Sequence, residues 1–377
     1  MDASTHEAEV LTLIDQPQFR LDPADKERRL CAILSAQSAR HAAAIPAFAR
    51  LVERLGFGEG PRARYEDVPW IHVSAFKKFE LRSVPADKVV RVVTSSATTS
   101  GTPSRIHIDK PTSFRQAKAL AATLADVVGK TRRPYLVLDA AESNAATSSL
   151  SARGAAIRGL LPFASEVTYA LDLQPDGKLT PNEARIGAFF EKNRDRSPLL
   201  FGFTFIVWSV VLDALGKGGA RFGPAPGAML LHSGGWKKLT EQAVDKDTFA
   251  AEAAVAFGMP ASHVLDFYGM AEQVGVVFVD CAAGHKHPPD FADVLLRDPL
   301  TLERVRAGEA GLIEVLSVLP ESYPGQALLT DDVGVLVGED GCPCGRRGRH
   351  FRIRSRVAQA EIRGCGDTFA AKRVVGA

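Results

Sequence analysis

"VVTSSATTSGTPSRIHID", residues 92–109, poses the question on which the rest of the chain bears. Ser and Thr crowd around one Gly and one Pro, with an apolar pair before them and an alternating, strand-like tail after them. So many hydroxyls and so little bulk at one bend suit two structures. One is a linker, since Ser, Thr, Gly and Pro are ordinary loop residues. The other is a loop whose backbone N–H groups and hydroxyls wrap the oxygens of a polyphosphate. It is not the P-loop pattern, because no Gly-Lys-Ser/Thr follows.

The flanking sequence predicts strands on both sides of this bend, "VVRVVTSS" entering and "SRIHID" leaving. Residues 1–58 predict helices, with apolar residues at helical spacing through "ADKERRLCAILSAQSARHAAAIPAFARLVERLG" and a stop at Gly56. Beyond the bend, "SFRQAKALAATLADVVGK" and "TFAAEAAVAFGM" predict helices and "PYLVLDA" a short buried strand. "PLLFGFTFIVWSVVLDALGKGG" starts as a strand and ends as a helix; "GAMLLHSGGWKKL" is a strand running into a double-Gly bend. "HVLDFYGMAEQVGVVFVDC" reads as strand, bend, strand, and the sequence after about residue 310 is mostly β. Strands alternating with helices, then a β-rich end, predict the α/β class.

The charge balance is +2, from 46 basic and 44 acidic residues, which argues against a protein that coats nucleic acid or an anionic membrane. No apolar run reaches the roughly 20 residues of a membrane span. The first residues are acidic and lack the basic and apolar blocks of a signal peptide, so a cytoplasmic protein is expected. The cysteines number five, Cys31, Cys281, Cys342, Cys344 and Cys365, and an odd count without a signal peptide does not suggest a disulfide framework.

Two further motifs carry chemistry. In "DFYGMAEQVG" (266–275), Tyr268 offers a flat face to a ring, Gly269 a tight bend and Glu272 a carboxylate suited to magnesium. In "LLTDDVG" (328–334), Asp332 suits ribose hydroxyls, while a plain β-turn accounts for the same string. "CAAGHKH" and "CPCG" bring Cys281, His285, His287, Cys342 and Cys344 into view, either as a tetrahedral zinc site with Cys281, His285, Cys342 and Cys344 as the ligands or as reduced thiols in a turn.

The order of a Ser/Thr/Gly loop, Tyr-Gly-x-x-Glu and Thr-x-Asp resembles the adenylate-forming enzymes, which join ATP to a carboxylic acid. "SSATTSGTPS", "SARGAAIRGLLPFAS", "LFGFTFIVW", "LLHSGGWKKL", "FYGMAEQ", "CPCGRRGRHF" and "AEIRGCGDT" together resemble the LuxE-type acyl-protein synthetases. The resemblance implies the large-domain fold of that superfamily, with a helical region over 1–58, an adenylation core over 59–330 and a shortened segment over 331–377. It implies that Ser96, Thr99, Ser100 and Gly101 form the phosphate loop, and that Gly234 and Gly235 line the adenine site. It further implies that Tyr268 stacks on adenine, Glu272 holds magnesium and Asp332 binds ribose. Ala97 and Thr98 depart from the usual string, and Ser104 stands where many members carry Lys.

Only 45 residues follow Asp332, so the full C-terminal domain with its adenylation lysine is expected to be missing, leaving Lys237, Lys238 and Lys372 as candidates. Cys365 lies between two glycines with Arg363, Lys372 and Arg373 nearby, which suits either a packed thiol or an accessible thiolate. The resemblance implies that it carries the acyl group. Trp236 and His232 are candidates for the acid pocket, or packed core residues, and His107 is a further histidine of note. The expected function is ATP-dependent activation of a carboxylic acid of the fatty-acid class, acylation of Cys365 and hand-over to an acyl-CoA-reductase-like partner. Transfer to coenzyme A or a carrier protein, and a non-catalytic nucleotide-binding subunit, are the alternatives.

Overall fold

The apolar run "PYLVLDA" forms β1 (Arg133–Ala140), and seven of its eight residues are buried. A strand buried on both faces belongs in a parallel sheet covered by helices on each side. The computed structural model, which describes residues 3–57, 60–94, 103–144, 150–218, 221–236 and 243–356, has this arrangement. The chain forms two compact units that are not contiguous in sequence. One comprises Arg91–Pro103 and Gln116–Ala282, the other Met1–Val90, Ser104–Arg115 and Ala283–Ala377.

The first unit holds β1 with β2 (Ala164–Leu173), β3 (Leu179–Pro181), β4 (Leu199–Phe203), β5 (Met229–Ser233), β6 (Val264–Tyr268) and β7 (Phe278–Val279). Their order is β7-β6-β5-β4-β1-β2-β3. The five inner strands are parallel, and the edge strands β3 and β7 are antiparallel to their neighbours. Alternation divides the apolar residues between the faces. Leu136, Leu138, Leu200 and Leu230 pack against Ile186, Phe189, Phe190, Phe249 and Phe257 from helices Glu183–Asn193 and Lys246–Phe257. Tyr135, Val137, Leu199, Phe201 and Leu231 pack against Leu124, Val128, Ile157 and Leu160. Each leucine fully buried here contributes about 1.5–3 kcal/mol.

Local signals set the helix ends. Asp245 caps Lys246–Phe257 by accepting from the Thr248 N–H at 2.8 Å, and Gly258 ends it in the left-handed conformation at φ 63°. After β4 the chain turns directly into a helical run, Thr204–Gly218, whose middle, Val207–Leu212, is π-helical. Gly202 makes that turn possible. A Cβ there would lie 2.6 Å from Val207 Cγ2 and 2.9 Å from Leu138 Cβ.

The second unit opens with helices Ala3–Asp15, Pro23–Ala44 and Pro46–Arg54. Asp22 caps the second, and Pro23 occupies its first position. The stretch with helical spacing divides at Pro46, because the residue before a proline is pushed to extended backbone, and Ile45 adopts φ −128°, ψ 97°. The sheet of this unit contains β8 (Ala292–Arg297), β9 (Ala310–Ser317), β10 (Ala327–Glu339) and β11 (Arg349–Arg356). Strand β10 pairs in its first half with Ile71–His72, in parallel, and in its second half with β11. The alternative of a β-turn at Asp-Asp-Val-Gly is therefore corrected, since these residues lie inside β10, paired to β9 and β11. Helix Pro23–Ala44 is tied to the sheet side by Gln37 Nε2, which donates to the Val318 carbonyl at 2.8 Å. Buried Lys26 and Arg349 flank Asp293 at 3.5 and 3.4 Å, so the charges are buried in company. Among the described residues no helix is long and apolar enough to cross a membrane.

Candidate active site at the strand ends

In a parallel sheet the loops at the carboxyl ends of the strands are where ligands sit. Phe203, Ser233 and Phe267 stand in register near the carboxyl ends of β4, β5 and β6. Beyond them the chain leaves through Thr204, through Gly234-Gly235 and through Tyr268-Gly269. Gly234 has φ +79°, and a Cβ on it would come within 2.9 Å of the Phe203 ring. Both constraints demand glycine and keep backbone exposed to any ligand. The Tyr268 ring stacks on Phe278, with centroids 6.0 Å apart and planes at 23°. Glu272 lies on the short 3₁₀ turn Ala271–Gln273 directly after β6 and is 8% exposed. Gly234, Gly235, Tyr268 and Glu272 are thus brought to the same end of one sheet.

An aromatic cluster adjoins them. His232 lies against Phe249 with ring centroids 4.3 Å apart, and Trp208 stacks on Phe249 at 6.0 Å. Trp236 meets Trp208 edge-on at 5.8 Å. Asp139, near the carboxyl end of β1, was given no role in the sequence reading. It is buried and accepts from the Arg153 guanidinium and, at 2.6 Å, from Ser143 Oγ. An acid closing an apolar strand, fourteen residues before an arginine in one of the quoted motifs, is the signal that could have found it.

Asp332 belongs to the other unit, on β10, where its N–H donates to Thr330 Oγ1 at 3.1 Å. The neighbouring Asp331 carboxylate is 3.2 Å from His72 Nε2. Ser104 and His107 are buried in that unit as well. Burial, before any neighbouring charge, lowers His107 from the usual histidine range. The phosphate-loop candidates Ser96, Thr99, Ser100 and Gly101 lie outside the described residues, as do Lys237, Lys238, Lys372 and Cys365. The two strands predicted around that loop are present, at Val89–Thr94 and Arg105–Asp109.

The second unit also gathers the Cys/His motif. Lys286 exchanges backbone hydrogen bonds with Phe351 at 2.9 and 3.0 Å, which aligns His285 and His287 along β11. The tip joining β10 to β11 carries Cys342 and Cys344, braced by Asp340 Oδ1 accepting from the Gly348 N–H at 2.7 Å. Cys344 Sγ lies 3.4 Å from both His287 Nε2 and Cys342 Sγ. Ligand atoms of His287, Cys342 and Cys344 all fall within 4.8 Å of one another. Tetrahedral zinc with bonds of about 2.0–2.3 Å has ligand–ligand edges close to these values. Burial, then Arg346, pushes His287 down to about 3, so its imidazole is neutral and able to ligate. His285 is placed differently. Arg352 Nη2 is 2.9 Å from His285 Nε2, and His285 Nδ1 is 3.4 Å from Cys342 Sγ. Arginine only donates, so Nε2 accepts and Nδ1–H points to the sulfur. Cys281 precedes His287 by six residues, at the end of the first unit.

Comparison with known proteins agrees with this architecture. The family model described as "Acyl-protein synthetase, LuxE" matches residues 61–373. A long-chain-fatty-acid–luciferin-component ligase of Vibrio harveyi is 30% identical over 149 residues, 39% of this chain and 38% of that protein. A ligase of the same name from Aliivibrio fischeri is 23% identical over 173 residues, 45% of each chain. The chain thus spans less than half the length of the curated relatives it matches. A 2-hydroxyisobutyryl-CoA ligase, solved in an open conformation with 2-HIB-AMP and CoA, is similar with a TM-score of 0.63 at 18% identity. The match covers 89% of this chain and 76% of that one. The same ligase in its postadenylation state gives a TM-score of 0.64. The fold is that of the adenylate-forming enzymes.

Proposed function

Because the chain belongs to the LuxE acyl-protein synthetase family, we propose that it activates a long-chain carboxylic acid with ATP and passes the acyl group to a thiol. The observation that carries the reading is the convergence of Gly234, Tyr268 and Glu272 at the carboxyl ends of two adjacent parallel strands. In the first step a substrate carboxylate oxygen attacks the α-phosphorus, and the bond to pyrophosphate breaks. Tyr268 stacks on adenine, Gly234 and Gly235 allow the ring close to the backbone, and Asp332 accepts from ribose hydroxyls. Ser96, Thr99, Ser100 and Gly101 donate to the phosphates, with Lys237, Lys238 or Lys372 as the assisting cation. The Glu272 carboxylate is a hard oxygen ligand suited to magnesium, which when bound supplies positive charge beside the phosphates. In the second step the Cys365 thiolate attacks the acyl carbon and AMP leaves. A reductase-like protein that consumes the thioester is the expected partner, in the cytoplasm.

The Cys/His group suits structural zinc, with His287, Cys342 and Cys344 as ligands and Cys281 as the fourth. His285 then donates to the Cys342 thiolate and does not ligate, a change from the set named on sequence alone. Four protein ligands leave no open position, so this metal takes no part in the chemistry.

The test is acid-dependent ATP–pyrophosphate exchange with tetradecanoate, followed by denaturation and a search for hydroxylamine-sensitive acyl label on the protein. Exchange plus a label lost in Cys365→Ala supports the full reading. Exchange with no label in wild type moves the acceptor to a separate thiol such as coenzyme A. Absence of exchange overturns acid activation.

A further inference from the structure

Asp139 and Arg153 meet at the same end of the first unit's sheet, and the steps proposed above leave them without a part. Strand β1 lies beside β4, and Val137 pairs with Phe201, two residues short of Asp139 and of Phe203. Asp139 therefore stands level with the strand ends that carry the candidate site. It is 1% exposed, a costly place for a carboxylate unless its oxygens are paired. Both are paired. Oδ1 accepts from the Ala140 N–H and from Ser143 Oγ, each at 2.6 Å, and from Arg153 Nη2. Oδ2 accepts from Arg153 Nε. Arg153 keeps 33% of its side-chain surface exposed, so the pair joins a buried anchor to a reachable cation.

A guanidinium carries its N–H donors in a planar fork with two bidentate edges. The Nε–Nη2 edge rests on Asp139. The other edge, Nη1 with the second Nη2 hydrogen, points away from that carboxylate and meets no acceptor among the described residues. Its two parallel N–H groups match two oxygens of a phosphate or a carboxylate. The chain path is a second observation. Val93 pairs in parallel with Leu150, and Thr94 with Ser151. Thr94 ends the strand that enters the Ser/Thr-rich stretch, and Ser151 stands two residues before Arg153. Arg153 is thus anchored on the end of β1 and delivered by a strand paired to the one leading into the hydroxyl-rich stretch.

The geometry points to Arg153 as an oxyanion receptor of the site, with Asp139 as the positioning residue that docks one edge of the fork and presents the other. This inference deepens the reading of acid activation and rests on it. That reaction brings two oxyanions to the strand ends, a phosphate of ATP and the carboxylate of the acid, and the open edge takes one of them. Asp139 cancels most of the charge, so the pair supplies direction: two donors held in place before the anion arrives.

The experiment measures equilibrium binding of Mg-ATP and of tetradecanoate to the full chain, each beside its counterpart without the anion, adenosine and tetradecan-1-ol. Arg153→Lys keeps a cation beside Asp139 and removes the fork. The double variant Asp139→Asn/Arg153→Gln removes both charges, so it leaves no buried carboxylate alone and serves if the first variant folds poorly. Each should lose about 10-fold or more in affinity for one anion, the scale of a hydrogen bond to a charged group, and change the uncharged counterpart by less than about 2-fold. Loss for Mg-ATP assigns the edge to a phosphate, and loss for tetradecanoate assigns it to the carboxylate. Asp139→Asn should weaken the same anion in the wild-type background and add little in the Arg153→Lys background, because a positioning residue acts only through the fork it holds. Equal weakening of anion and counterpart overturns the inference, as do unmoved affinities or a full additional loss from Asp139→Asn. Acid-dependent pyrophosphate exchange is read on the wild type in parallel. Its absence overturns acid activation while the affinities still decide the role of Arg153, and a wild type that binds neither anion overturns both. Intact exchange with unmoved affinities overturns this inference alone.

Discussion

Cys31 and Cys365 bear the same thiol with opposite expectations. Cys31 is 1% exposed, and burial, aided by Glu27, pushes its thiol up to about 12. It is not a thiolate at working pH, so Cys31→Ala should retain the hydroxylamine-sensitive label that Cys365→Ala loses. Loss of the label in Cys31→Ala would contradict the assignment. Glu272→Gln removes charge and keeps shape, and should abolish magnesium-dependent exchange with little change in the thermal midpoint; unchanged exchange would remove Glu272 from the site. His41 gives a pH prediction. Burial, then Arg40, lowers it to about 3, and its Nδ1 is 2.6 Å from Ser83 Oγ. Unfolded, it titrates near 6.5, so between about pH 6.5 and 3 the unfolded chain binds the extra proton and stability falls as pH falls. His41→Gln should flatten that acid limb in urea melts at pH 7 and pH 5, and an equal loss in both proteins would exclude the mechanism. That Tyr268 and Glu272 lie together just after a strand was legible in sequence because their motif is local. The contact between His232 and Thr204 was not, because the two lie 28 residues apart.

At the scale of elements, propensity carried far and backbone exceptions carried the rest. Strands β1, β4, β5 and β6 were legible from short apolar runs, and helix Lys246–Phe257 from its spacing and Gly258. Pro46 divides a stretch with helical spacing, and the π turn at Val207–Leu212 has no sequence mark. The Asp-Asp-Val-Gly string lies in a strand despite its turn-forming composition, because Val333 and Gly334 are paired on both sides, to β9 and to β11. Gly202 shows how tightly such an element is placed. With its Cβ position 2.6 Å from Val207 and 2.9 Å from Leu138, Gly202→Ala must displace either the helical run or β1. The expected loss is about 1–3 kcal/mol, the scale of overpacking a core. Urea denaturation should show a lower midpoint with an unchanged slope, and an unchanged midpoint would mean that the contact yields freely.

At the scale of the molecule, sequence order foretold an α/β protein but not its division. The unit that carries β10 and β11 is assembled from three separated segments, and only pairings such as Ile71 with Leu328 and Asp109 with Ser322 reveal it. The proposed zinc has a physical purpose in such a unit, since it would staple residues 285–287 to a hairpin tip 57 residues later. The thiolates and the neutral His287 gain their metal only when both segments are folded, so binding energy becomes folding energy. Protein never exposed to chelator should hold about one zinc per chain, and Cys344→Ser should lower both metal content and thermal midpoint. Hydrogen exchange after chelation should accelerate at 285–287 and 340–349 before it does in β1. The two histidines then separate ligand from support. His287→Ala should strip the metal, whereas His285→Ala, which removes an N–H donor to Cys342 and no ligand, should weaken affinity by about 10–100-fold and leave zinc bound at saturating concentration. Elemental analysis finding no metal in the wild type, or His285→Ala stripping it as fully as His287→Ala, would refute the assignment. In the second case the set His285, Cys342 and His350, whose ligand atoms also lie within 4.8 Å of one another, would take its place.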